Sequence, residues 1–580
     1  MIGVIKKFNT LMDKRQKKRI GILFVITLVG AFLEVLGVGL MLPLVTAIMQ
    51  PDIIERNEII KWVCGVFDLH SHRTFVIVCI AALILVFIFK DFFLMAQYYV
   101  QARFVFNNRF ATQQRLLHVF LNRPYEYFLN VKSGEIMRVI TGDVSSTYNL
   151  LMTLLFLGTE SFVSLTLTIT IFIIDPFMTI LMAVMLIIML FVIAKVVRPI
   201  LRKKGLEFQK HAALTNKWLI QAINGIKEIK VADKEEFFEK NYDESGRRMI
   251  SAEKWNSVFG QIPRLLIEMV SVCSMLAVIA LMIYFGKDIN ELVPTLGAFA
   301  MAAVKLMPSA NRIVGAINSI AFQEPALDKL LENLVQLEAD NEKYATENKR
   351  EKECDLTLNN EVKLSGITYR YPNSNKNVLT DAEMLIPAGK SVGIVGTSGA
   401  GKTTAVDILL GLLRPEEGQV LTDGVDVMKS YDEWLSHIGY IPQSIFMLDG
   451  TIKENVAFAV KEDENTDSKV WHALEEAQLA DFVRELPDGI NTQIGERGVR
   501  LSGGQRQRIG IARALFEDPE ILVFDEATSA LDNETEAAIM DSINSLHGRK
   551  TLIIIAHRLQ TIENCDIVYR VSAGKIKQER

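Results

Sequence analysis

Cysteine is scarce. The 580-residue chain has five (Cys64, Cys79, Cys273, Cys354 and Cys565), widely scattered and with no C-x-x-C pair. That spacing indicates neither a disulfide framework nor a cysteine-held zinc site. Charge of one sign is equally scarce. The net charge of −5 argues against a general nucleic-acid binder. A cleaved leader is not expected: the basic N-terminus (Lys6, Lys7, Lys14, Arg15, Lys17, Lys18, Arg19) runs into an apolar stretch that is too long and that no small-residue cleavage site ends cleanly. What the chain has in excess is hydrophobicity. Half of its residues are apolar and its mean hydropathy is positive, which points to membrane spans.

Apolar runs at about 20–49, 74–99, 150–174, 177–197, 263–285 and 293–320 approach or exceed the roughly 20 residues that cross a bilayer as a helix. Six crossings put both termini on one side, and the basic N-terminus assigns that side to the cytoplasm. The connections at 100–149 and 198–262 are long, basic and helically periodic. They read either as spans prolonged into the cytoplasm, turning at caps near Thr141–Ser146 and Lys230–Phe237, or as ordinary basic loops. Residues 57–67 carry Ile59, Ile60, Val63 and Phe67 at helical spacing. That pattern fits a short amphipathic helix on the outer leaflet or a packed loop helix.

Glu34, Lys90, Asp91, Glu160, Glu268 and Lys305 lie inside these runs, with Arg264 and Arg312 near their ends. An ionisable group at mid-membrane costs ~3 kcal/mol or more, so each needs a wet cavity or a partner. Two readings stand: a polar cavity in which Glu34, Arg264, Lys305 and Arg312 meet a substrate, or pairing between helices. Residues 323–360 are polar and fit an extended last helix followed by a linker.

From about 361 the pattern becomes that of a soluble α/β domain. An apolar run, Ser391–Val395, ends in Gly396-Thr397-Ser398-Gly399-Ala400-Gly401-Lys402-Thr403-Thr404, and a helical pattern follows. Strand, glycine-rich loop and helix form a phosphate cradle of backbone N–H groups. Lys402 can reach the β- and γ-phosphates and the Thr403 hydroxyl can sit on Mg²⁺. Ile521–Phe524 leads into Asp525 and Glu526. Such a strand places Asp525 near the metal and Glu526 where it orients and deprotonates an attacking water. Ser502-Gly503-Gly504-Gln505 opens another helix, a second anion site. Gln443 follows a strand-like run at Ile438–Pro442, and His557 follows a buried one at Thr551–Ala556.

Together and in this order, these residues resemble the nucleotide-binding domain of ATP-binding-cassette (ABC) transporters, and the earlier part resembles the six-helix membrane domain of the exporter type. The resemblance implies domains over 1–322 (membrane), 323–355 (linker) and 356–580 (ATPase). The implied fold is a six-span α-helical membrane domain plus an α/β P-loop, RecA-like ATPase domain with helical and antiparallel β subdomains. It implies ATP and Mg²⁺ as cofactors, with Tyr371 stacking on adenine, Gln443 and Asp525 joining Thr403 at the metal, and His557 acting as switch histidine beside the catalytic Glu526. Gly495–Gly498 is similar to the exporter cross-talk loop and Ser529–Asp532 to the loop crossing the dimer interface. Ser502–Gln505 matches the signature that caps ATP from the opposite subunit, so a second copy of the chain is the implied partner. Ala31–Pro43 and the helix at 57–67 are similar to flippases of lipid-linked oligosaccharides, which implies a lipid-linked glycan substrate and a bacterial-type inner membrane. Multidrug, lipid and peptide exporters share the architecture, and a non-transporting membrane ATPase sensor is the rival of another class.

Overall fold

The computed structural model describes residues 2–40, 72–174, 180, 191, 193–284, 308–335, 355–372, 374–526, 540, 543, 545–556 and 562–580. Two units emerge. One comprises Met1–Asn122 and Val131–Asn341, the other Arg123–Asn130 and Glu342–Arg580. The expected outer helix at 57–67 and most of the runs at 177–197 and 293–320 lie outside the described residues.

The first unit is helical: α1 (Ile2–Leu11), α2 (Lys14–Gly39) and the 50-residue α3 (His72–Leu121) come first. The second unit then takes α4 (Tyr125–Asn130), and the chain returns through α5 (Ser133–Met137) to α6 (Val144–Ile174), α7 (Arg198–Asn224), α8 (Ile226–Ala232), α9 (Glu235–Tyr284) and α10 (308–335). Among the described residues, three helices are long and apolar enough to cross a membrane: Lys14–Gly37, Arg73–Leu121 and Gly134–Thr166. α3 exposes Leu85, Phe92 and Met95, as lipid-facing side chains do. Backbones approach closely at Gly205, where a Cβ would lie 2.3 Å from the Phe322 carbonyl oxygen, so α7 meets α10 with no side chain between them. Asn318 Nδ2 donates to the Phe259 carbonyl (2.9 Å) and Gln101 Nε2 to Thr27 Oγ1 (3.0 Å), satisfying polar groups that would otherwise be costly in an apolar bundle.

The prolonged hairpins are present, with one turn displaced. The second turns where expected, at Asp233, in the left-handed conformation between α8 and α9. The first does not turn at Thr141–Ser146. There the chain runs through a π-helical turn (Arg138–Asp143) straight into α6, with the Val144 N–H donating to the Val139 carbonyl. The break falls at Asn122–Pro124. Pro124 lacks the N–H that would continue α3, and Asn122 Nδ2 donates to the His118 carbonyl at its end (2.8 Å).

Among its described residues the second unit has two sheets. An antiparallel one has the order β2-β1-β4-β5, from β1 (Glu361–Tyr369), β2 (Leu379–Pro387), β4 (Glu417–Thr422) and β5 (Val425–Asp426). The other has the order β10-β9-β3-β8-β7-β6, from β3 (Ser391–Val395), β6 (Ile438–Ile441), β7 (Ile521–Asp525), β8 (Thr551–Ile555), β9 (Ile567–Ser572) and β10 (Lys575–Gln578). All neighbours from β9 to β6 are parallel, and β10 alone runs antiparallel. β3, β7 and β8 are buried at every position, which is why they read as unbroken apolar runs. α11 (Lys402–Leu409) packs on one face of this sheet. On the other lie α13 (Ile452–Val456), α14 (Thr466–Glu476), α15 (Ala480–Glu485) and α16 (Gly503–Leu515), after the short α12 (Tyr431–Ser436).

Candidate nucleotide site

The C-terminal ends of the parallel strands are where α/β sheets present their ligand groups, and here three of them converge. The loop leaving β3 winds over glycines into α11. Gly399 and Gly401 hold φ of +76° and +103°, which side chains with a Cβ rarely adopt. A Cβ at Gly396 would lie 2.4 Å from the Val571 carbonyl oxygen. Lys402 is buried, and its Nζ donates to the carbonyls of Gly396 (3.0 Å) and Thr397 (3.3 Å). Oε1 of Glu526 is 4.0 Å away. A buried ammonium held by two neutral carbonyls suits a polyphosphate anion.

From β7, Asp525 is buried and accepts from Tyr440 Oη (3.3 Å) on β6. Burial, then the neighbouring Glu526 charge, holds its carboxyl above the ordinary range. Glu526 stands one residue beyond the strand at φ +50°, and its N–H donates to the Ile555 carbonyl (3.2 Å) on β8. A non-glycine residue in that region stores roughly 1 kcal/mol of strain. Gln443 Nε2 donates to Oε2 of the Glu526 carboxylate (2.8 Å). Thr403 is exposed at the start of α11. Its hydroxyl, the Gln443 amide and the Asp525 carboxylate are hard oxygen donors that suit Mg²⁺.

The remaining predicted residues divide. Tyr371 Oη is 3.0 Å from Thr404 Oγ1, and its ring meets Tyr369 edge-on at 5.2 Å. Ser502 caps α16 in a reciprocal box with Gln505: Gln505 N–H donates to Ser502 Oγ (3.2 Å) and Ser502 N–H to Gln505 Oε1 (2.8 Å). Gly503 and Gly504 form the first turn of α16. Arg497, between the left-handed Gly495 and Gly498, is itself left-handed. His557, Ser529–Asp532 and Lys305 lie outside the described residues, as does the side chain of Arg264. Glu34 is half-buried on α2. Arg312 meets Glu160 at 2.6 Å, with Glu160 almost fully buried, and Lys90 pairs with Asp91 at 3.1 Å. For these two cations the structure supplies the pairing alternative.

Sequence reasoning missed three groups. Tyr440 is one, although alternation along β6 places it on the Asp525 side. Asp407, set among apolar residues on α11, has its carboxyl pushed up to about 6, chiefly by burial and then by Asp525. Glu126 on α4 accepts through Oε1 from Tyr369 Oη (3.2 Å) and from the Arg414 N–H (3.3 Å). Nothing local to residue 126 announces that contact.

Phosphate cradle, strained carboxylate and glutamine define a P-loop ATPase site. The family comparisons agree. Residues 379–529 match the ABC transporter family and residues 20–302 the ABC transporter transmembrane region. The chain belongs to the ABC transporters, with a membrane region fused ahead of its ATPase domain. It is 41% identical over 218 residues to an ATP-dependent lipid A-core flippase of Bordetella avium, covering 37% of this chain and 36% of that protein. It is also 41% identical over 224 residues to a mitochondrial potassium channel ATP-binding subunit of Xenopus tropicalis, covering 38% and 32%. These matches span about a third of the relatives' own length. The solved structure of a bacterial Atm1-family ABC exporter with ATP bound superposes with a TM-score of 0.69 at 22% identity, covering 98% of this chain and 96% of that one. That likeness establishes the exporter fold.

Proposed function

We propose that the chain is an ATP-driven exporter of the flippase kind, working as a homodimer and moving a lipid-linked oligosaccharide across a bacterial-type inner membrane. The observation that carries the ATPase part is the convergence of Lys402, Gln443 and Glu526 at the ends of β3, β6 and β7. Its domains run over 1–322, 323–355 and 356–580, except that Arg123–Asn130 folds with the ATPase unit. Gly396–Thr404 and Ser502–Gln505 hold ATP, the latter from the opposite subunit, and Tyr371 faces adenine. Thr403, Gln443 and Asp525 hold Mg²⁺, which when bound neutralises charge developing on the phosphates. Glu526, held by Gln443, orients the attacking water and takes its proton, with His557 as switch. Each site needs a signature from a second chain, and one copy is present per chain, which supports the dimer. The substrate reading rests on the resemblance of Ala31–Pro43 and on a relative named for flipping lipid A-core.

The test is ATP-dependent movement of a labelled polyprenyl-pyrophosphate oligosaccharide in proteoliposomes, beside a hydrophobic drug. Movement of the glycan lipid alone is expected. Movement of the drug alone would make the chain a multidrug-type exporter. The Xenopus relative's name favours a second reading, a membrane ATPase that serves another protein; active ATPase with neither solute moved would select it.

A further inference from the structure

We infer that the exposed cation run Lys14, Arg15, Lys17, Lys18 and Arg19 is a binding surface for anionic lipid headgroups of the leaflet that α2 enters. All five side chains are exposed, and none has a carboxylate partner among the described residues. Nearby cations differ: Lys7 meets Glu324 (3.4 Å) and Asp328 (2.5 Å), and Arg202 meets Asp328 (3.5 Å). The run is held in place from both sides. Val4, Phe8, Leu11 and Met12 are buried beneath α1, while Gln16 caps the Asp13 N–H (3.0 Å) and donates to Asn108 Oδ1 (2.7 Å).

The placement costs energy as it stands. Three of the five cations sit in the first turn of α2, which contains no acidic residue. The positive end of the helix dipole repels them there. Phosphodiesters remove that repulsion, and the apolar run of α2 that follows Arg19 sets the cations at headgroup depth. In sequence, Asp13 is the one carboxylate ahead of Glu34, too few for this stretch to neutralise itself. The assignment is independent of what the chain transports.

The test uses full-length protein in detergent. Native mass spectrometry follows binding of phosphatidylglycerol and of phosphatidylcholine with the same acyl chains. Wild type is expected to prefer phosphatidylglycerol by about tenfold or more at low salt, the preference shrinking several-fold at about 0.5 M salt. The variant K14Q/R15Q/K17Q/K18Q/R19Q is expected to bind the two lipids within about threefold of each other. K14Q/R15Q and K17Q/K18Q/R19Q, milder changes that keep the helix, are each expected to lose part of the preference. An undiminished preference in these variants, or one indifferent to salt, overturns the proposal. So does equally tight binding of inorganic phosphate, which would make this a soluble-anion site.

Discussion

Removing the Glu126 carboxylate is expected to loosen α4 from the ATPase unit by an amount that the geometry sets. One oxygen of Glu126 takes two donors, Tyr369 Oη at 3.2 Å and the Arg414 N–H at 3.3 Å. Tyr369 is 1% exposed, and burial together with the Glu126 charge raises the pKa of its hydroxyl, keeping it protonated as a donor. A hydrogen bond to a charged group contributes about 1.5–3 kcal/mol, and leaving a buried donor without an acceptor costs about as much. Glu126→Ala therefore costs about 2 kcal/mol of local opening, or about 30-fold in opening equilibrium. Tyr369→Phe costs less, about 1 kcal/mol, because the half-buried carboxylate keeps the Arg414 N–H and reaches water. Hydrogen exchange of the Tyr125–Asn130 amides in the full chain reads this opening. Faster exchange is expected in each single variant, with the double variant no faster than Glu126→Ala alone. Additive effects would show that the two side chains act separately. Unchanged exchange in Glu126→Ala would refute the hydrogen-bond account altogether.

Glu526→Gln should still bind ATP but hydrolyse it very slowly, by about two orders of magnitude or more; wild-type turnover in purified variant would remove Glu526 as base. Asp407→Asn should stabilise the ATPase unit at neutral pH. The raised carboxyl takes up a proton in the folded state first, so its burden on stability is present at pH 7 and relieved as pH falls from about 6 towards 4. A thermal-stability profile should show the variant losing that relief, and identical profiles would count against it. Gly396→Ala should weaken nucleotide binding at least tenfold, because its Cβ would meet a backbone oxygen at 2.4 Å and the loop must move. Isothermal titration with ATP would check this, and wild-type affinity would contradict it.

Much of the ATPase unit was legible in the residues because its inner strands are buried on both faces. Ile521–Phe524 reads as an apolar strand ending in the carboxylates of Asp525 and Glu526, and the structure closes the strand at Asp525 with Glu526 just beyond it. The cradle around Lys402 was legible for another reason: glycines at fixed spacing answer a local backbone demand. The first hairpin turn was misplaced because Thr141–Asp143 has turn-like composition, whereas a π-helical turn carries those residues without breaking the hydrogen-bond ladder. The better signal was Pro124. Pairs such as Glu126 with Tyr369, or Arg312 with Glu160, join residues 243 and 152 positions apart. No periodicity encodes partners at that range, and only the folded chain brings them together.

The position of α4 also bears on how the molecule is made. Its acceptor Glu126 is synthesised 288 residues before the amide of Arg414 that binds it. At ~5–20 residues per second, that is a wait of roughly 15–60 s. For that interval Tyr125, Phe128 and Leu129, each still partly exposed in the finished fold, have no ATPase unit to fold with. The unit cannot complete itself from its own contiguous stretch, since the missing piece is already anchored upstream between α3 and α5. Expressed alone, residues 356–580 would leave the hydroxyl of Tyr369 without its acceptor. Assembly is thus ordered by the ribosome: the early segment is a template that the late domain must find.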